Sequence, residues 1–301
     1  ARISGCRVEY TKVGNPEYDR TCVYMEGHDW VVEDNVFVGS EQARTCLETH
    51  GTNITVRNNK VTDYASPLFI VNDGAGGNGY VDDINIINNK FECRGGIILW
   101  FTIPNINVGW IKINHNTINV LREEETLNIA AIKTYFTAAS GITVEGVDFS
   151  NNTVYVDAPQ NPCFVFFNNE NEAALDPQIY KNFHVKNNTF YGNVSSFIKF
   201  SISPARRQVL EHIEIHDNSF KADTLGSGVM YHVIDTSGAI MNVDVRRNTY
   251  TVGETSTTLG NLTVFNMNVA ETPLKLGVFM IADNTYSFKT GNIGICTTVA
   301  G

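Results

Sequence analysis

The sequence predicts an all-β chain, a right-handed single-stranded parallel β-helix of about nine to ten coils carrying an asparagine ladder. Three observations predict it. A turn of the form polar-Asn-x-apolar recurs at Asn35, Asn59, Asn89, Asn116, Asn152, Asn188, Asn218, Asn248 and Asn284, at spacings of 24, 30, 27, 36, 36, 30, 30 and 36 residues. Apolar residues stand at fixed offsets on both sides of each turn, and no segment shows the 3.6-residue period of a helix. The missing helical period excludes helical and doubly wound folds.

The strand entering each turn is defined by two columns. Five residues before the asparagine stand Trp30, Ile54, Ile84, Ile111, Val147, Phe183, Ile213, Val243 and Phe279. Three before it stand Val32, Val56, Ile86, Ile113, Phe149, Val185, Ile215, Val245 and Ile281. The strand leaving the turn places Phe37, Val61, Phe91, Ile118, Val154, Phe190, Phe220, Tyr250 and Tyr286 two residues after it. The residues between are mostly polar, so period-two alternation buries one side of each strand and exposes the other. Asparagine suits the bend because it tolerates the left-handed backbone region, and stacked amides can hydrogen-bond from coil to coil. A further strand follows in each coil, among them CLETH at 46–50, PLFIV at 67–71, IILWF at 97–101 and CFVFF at 163–167. Connections after that strand vary most in length and account for the unequal spacings. RTCVYMEG at 20–27 repeats as RTCLETHG at 44–51, which stacks Cys22 on Cys46. The whole chain, 1–301, reads as one domain and as a portion of a longer protein, because no capping helix precedes the first strand.

Composition narrows the function. Charged residues make up 18% of the chain and the formal net charge is −10, which opposes binding to nucleic acid. No stretch has the apolar length of a membrane-spanning helix, so membrane insertion is not expected. The six cysteines are scattered without a metal-ligand spacing, and no cofactor or metal is expected; most read as small core residues. Acidic loops at 72–83 and 168–182 lack an ordered calcium-ligand spacing.

The Asn-x-Phe coil, quoted in INIINNKFEC, VDFSNNTVYV and FHVKNNTFYG, resembles the pectate-lyase-like right-handed parallel β-helix superfamily over roughly residues 20–290. Within it, long Asn-rich coils are similar to bacteriophage tailspike polysaccharide depolymerases. That resemblance implies a homotrimer on a virion tail, or alternatively a secreted protein, that binds and cleaves a bacterial surface polysaccharide. Subfamily motifs are absent: there is no G-H-G with N-T-D, and SPARR at 203–207 does not match R-x-P-x-x-R. The resemblance is therefore one of fold.

Two outward clusters follow from the register. Overlaying the two RTC coils puts Tyr24 beside Glu48 and Glu26 beside His50. Glu26 and Glu48 then lie diagonally, about 8 Å apart, a separation that suits the acid and base of an inverting glycoside hydrolase. His50 would tune either carboxyl, and Trp100, Lys133 and Tyr135 on the same face would hold sugar rings. The other cluster is the column Asp148, His184, Glu214 and Asp244, with Lys186, His216 and Arg246 two residues further on. Such interleaved acids and bases would serve a polysaccharide lyase; the plainer reading is a charge-paired exposed sheet. A non-catalytic glycan-binding adhesin or tail component is the third expectation.

Overall fold

The computed structural model describes residues 1–10, 21–72, 79–121, 130–136, 141–157, 163–168, 178–202, 208–226, 229–236, 239–255, 262–269, 275–288 and 293–300. Every strand pairing among them is parallel, and each strand pairs with its counterpart in the coil before and the coil after, as in Ile54, Ile84, Ile111 and Val147. The chain is a parallel β-helix. Ten short strands form one sheet: Arg7–Glu9, which follows Cys6, and nine that follow the asparagine turns, ending with Thr285–Phe288. The remaining nineteen form a second, continuous sheet.

That second sheet is continuous because of its first two full coils. Thr21–Glu33 and Thr45–Arg57 are uninterrupted strands of 13 residues that turn the corner without a break. From the next coil on, the same path is divided: Thr45–Arg57 pairs with Ser66–Val71 along its first half and with Asp82–Ile87 along its second. The added residues fall only in part at that corner, as between Val71 and Asp82; others precede the second strand, as in the nine positions between Val120 and Ala130. Gly27 and Gly51 mark the corner in the undivided coils. Gly27 has φ +88°, and a Cβ on Gly51 would meet the Gly27 carbonyl oxygen at 1.7 Å, so a side chain at Gly51 would force the two coils apart.

The three predicted columns form the core. All their described members are buried except Trp30, Ile281 and Tyr286 near the two ends, which are partly exposed. The aromatic members stack at about the coil rise: Phe190 on Phe220 at 4.7 Å, Phe220 on Tyr250 at 5.1 Å and Tyr250 on Tyr286 at 5.1 Å. Such pairs add to the burial of their area.

The asparagine ladder differs from the expectation in one respect. The left-handed residue is not the ladder asparagine but the one before it: Asp34, Asn58, Asn88, His115, Asn151, Asn187, Asp217, Arg247 and Asp283 all have φ between 53° and 59°. The ladder residue itself turns inward. The Asn59 Oδ1 accepts from the backbone N–H and Nδ2 of Asn35, both at 3.0 Å, while its Nδ2 donates to Val32 O at 2.8 Å and Asn89 Oδ1 at 3.0 Å. A buried turn thus needs an acceptor and a two-proton donor on one short side chain, which only asparagine supplies. At the first turn Cys6 takes the ladder position, its N–H donating to Asn35 Oδ1.

The cysteines fit the core reading in part. Cys46, Cys93 and Cys163 are buried, but Cys22 is partly exposed and Cys6 is exposed. The Cys296 side chain lies outside the described residues, as do the side chains of Tyr135 and Phe166.

Candidate functional site

The predicted overlay of the two RTC coils is the observed register: Tyr24 pairs with Glu48, and Glu26 with His50. Leu47 and Thr49 point inward with Met25, which sends Glu48 and His50 outward on alternate positions. Both are nevertheless almost fully covered, at 5% and 6% exposure. His50 Nε2 lies 2.8 Å from Glu48 Oε1, and the Thr21 hydroxyl donates to Glu48 Oε2. The Tyr24 ring lies over the His50 ring at 4.4 Å, tilted by 29°. Tyr24 is exposed at 41%, so one side of the stack meets solvent.

Burial alone would raise the Glu48 pKa. The hydrogen bonds from His50 and Thr21 outweigh that penalty and hold the carboxyl below its ordinary range. Glu48 is therefore an ionised acceptor, suited to orienting His50 or to acting as a base, and unsuited to donating a proton near neutral pH. Glu26 is half-buried, and its backbone carbonyl accepts from Trp30 Nε1 at 2.8 Å, which ties the strand down just before the Gly27 corner.

The other predicted residues stand further along the same face. Phe69 follows Glu48 in register, Ile98 follows Phe69, and Lys133 follows Ile98. Val71 pairs with Trp100, which pairs with Tyr135. Phe69 and Val71 thus separate Glu48 and His50 from Trp100, with Phe69 edge-on to the indole at 6.3 Å. Lys133 is buried at 3% exposure. The structure assembles Tyr24, Glu26, Glu48 and His50 into one patch and sets Trp100, Lys133 and Tyr135 at least a coil beyond it.

The second cluster is also in register, running Lys112, Asp148, His184, Glu214, Asp244. Two of its carboxylates, Glu214 and Asp244, are paired. Glu214 accepts from Lys186 and sits 2.9 Å from His212 Nε2 and 3.6 Å from His184 Nε2. Asp244 binds Arg246 and lies 3.3 Å from His216 Nε2. Burial opposes ionisation of Glu214, but Lys186 and His212 prevail and bring its pKa down to about 2. Burial, followed by the Lys186 charge, lowers the pKa of His184. His212 and Trp110 belong to this face and do not stand in the sequence-predicted clusters. They lie six residues before Asn218 and Asn116, an offset at which the period-two pattern continues beyond the columns used.

Comparison of the chain with protein-family models, with curated proteins and with solved structures returns no match. Among the described residues no group of three or more His, Cys, Asp or Glu is placed to hold a metal ion. Asp82 serves the backbone instead, its carboxylate accepting from the N–H groups of Asp83 and Trp110. Asp73, Glu170, Glu172 and Asp176 of the acidic loops lie outside the described residues. No described helix is long and apolar enough to cross a membrane.

Proposed function

We propose that this β-helix binds and hydrolyses a bacterial surface polysaccharide, in the manner of a homotrimeric phage tailspike. The observation that supports it is the four-residue patch in which Glu48 and His50 share a short hydrogen bond, Tyr24 covers the imidazole, and Glu26 flanks it in register. Glu48 takes the base role, since its carboxyl is held ionised. Glu26, beside His50 in the neighbouring coil, takes the acid role. The exposed Tyr24 ring offers a flat apolar surface to a sugar at the entrance.

Glu48→Gln and Glu26→Gln test the assignment on purified capsule and O-antigen polysaccharides, with products analysed by mass spectrometry. Loss of about 100-fold or more in each variant is expected for groups that transfer protons. Unchanged cleavage in both variants would remove these residues from the mechanism. Unsaturated products would transfer the activity to a lyase, and binding without products would make the chain an adhesin.

A further inference from the structure

We infer that Trp110 and the side chains beside it form a separate saccharide-binding subsite, on the sheet face that follows the Gly27 and Gly51 corner. Trp110 lies in Asn107–Asn114, in register with Gly146 of the next coil. The indole lies across that glycine: a Cβ at Gly146 would stand 2.5 Å from two carbons of its six-membered ring and 2.6 Å from a third. Gly146 is therefore a gap in the outward column that the indole fills. The ring thus spans a whole coil, and its centroid comes within 5.8 Å of the His184 ring, two coils from its own strand.

The backbone under the tryptophan is also fixed, because the Asp82 carboxylate accepts from the Trp110 N–H at 2.9 Å. Despite this anchoring, Trp110 keeps 36% of its surface exposed, among the few large apolar side chains to do so. An indole packed over the sheet and still partly exposed offers an apolar surface that is largely ordered before a ligand arrives. His184, which the indole reaches, belongs to a polar cluster that continues into the next coil through Glu214. His184, Glu214, Lys186 and His212 are all partly exposed; the Glu214 carboxylate pairs with Lys186 and with His212 and lies 3.6 Å from His184 Nε2. Glu214, its carboxyl held down at about 2, stays an acceptor across the whole physiological range.

An apolar plane bordered by fixed donors and acceptors matches a pyranose ring, whose axial C–H groups form one apolar face and whose equatorial hydroxyls ring the edge. A purely apolar ligand would make no use of the mixed acids and bases beside the indole, which pair with one another. The occupant is a pyranose unit of a polysaccharide, held as an anchor on a different face from the Glu48 and His50 patch. This subsite deepens the reading of the chain as a polysaccharide-binding protein.

The test is an array of immobilised capsule and O-antigen polysaccharides probed with the whole chain and its variants. Trp110→Ala is expected to weaken binding about tenfold or more, the usual scale for removing an aromatic stacking platform, with Trp110→Phe retaining part of it. Glu214→Gln should weaken binding in the same direction while far-ultraviolet circular dichroism stays that of the parent. Trp110→Ala binding equal to the parent would overturn the subsite even if cleavage continues. Loss of binding in Trp110→Ala beside an unchanged absence of products would uphold the subsite and overturn the hydrolase reading. A parent chain that binds no polysaccharide on the array overturns both.

Discussion

Truncating a ladder residue at mid-solenoid, Asn152→Ala, is expected to destabilise the chain by about 4 kcal/mol. The magnitude follows from the bonds removed. Asn152 Oδ1 accepts from Asn116 N at 2.9 Å and Asn116 Nδ2 at 3.1 Å; its Nδ2 donates to Ile113 O at 2.8 Å and Asn188 Oδ1 at 3.1 Å. Not all of these losses leave an orphan. Asn116 Nδ2 still donates to Ile86 O and Asn114 O, and Asn188 Oδ1 still accepts from the Asn152 N–H. The Asn116 N–H, however, loses its acceptor in a fully dry turn. Lost bonds at about 1 kcal/mol each, with one buried N–H left unsatisfied at about 1–3 kcal/mol, give the stated figure once the retained partners are allowed for. Equilibrium urea unfolding followed by far-ultraviolet circular dichroism measures it. Asn152→Asp sharpens the test, because it keeps both accepted bonds and turns the donor into an oxygen facing Ile113 O and Asn188 Oδ1. Its buried carboxyl would have a raised pKa in the folded state, so this variant should be least stable at neutral pH and recover as the pH falls and the acid protonates. A cost below about 1 kcal/mol for Asn152→Ala, or a pH-independent Asn152→Asp, would refute the role assigned to the amide.

Further outcomes follow from neighbouring features. Asn151, at φ 57°, should lose about 2 kcal/mol on replacement by valine and almost nothing on replacement by glycine, measured by the same unfolding curves. Phe220→Ala, which opens the stack between Phe190 and Tyr250, should cost about 3–5 kcal/mol and lower the thermal midpoint. Glu214 has its folded pKa depressed from 4.5 to about 2, so its stabilisation is complete above pH 4.5 and disappears as the pH falls towards 2. Glu214→Gln should therefore flatten acid unfolding in that window, by about 1 kcal/mol after discounting for the partial exposure of the pair. If Glu48 is the hydrolytic base, the acidic limb of kcat/KM should lie below pH 4.5, because its carboxyl is held under that value.

The coils and their inward columns were legible in the sequence because burial on one side of a strand imposes a period of two on every turn of the solenoid. The position of the left-handed residue was harder to read, since Asn58, Asn88, Asn151 and Asn187 stand directly before ladder asparagines. The distinction lay in the other coils, where Asp34, His115, Asp217 and Arg247 precede an asparagine that does not vary. A buried amide with four partners tolerates no substitute, whereas a solvent-facing left-handed residue tolerates several. The register of Glu26 with His50 was legible from the repeated RTC segment. The near-complete burial of Glu48 and His50 was not, because it depends on Tyr24 folding over the imidazole and Thr21 reaching the carboxylate. Trp110 was missed for a similar reason: its meaning lies in Gly146, 36 residues away and visible only as a gap in an outward column.

The ladder also has a direction. From Asn35 to Asn248 every side-chain-to-side-chain bond runs the same way, each Nδ2 donating to the Oδ1 of the next coil's asparagine, so the amide dipoles align along the ladder. At one end Asn35 Oδ1 faces the Cys6 N–H; at the other, Asn284 Nδ2 reaches back to Val245 O. The spine is thus electrically polar, with an acceptor-facing head and a donor-facing tail. Any coil, or any second molecule, that continues this spine must join it head to tail, since a tail-to-tail contact would set donor against donor.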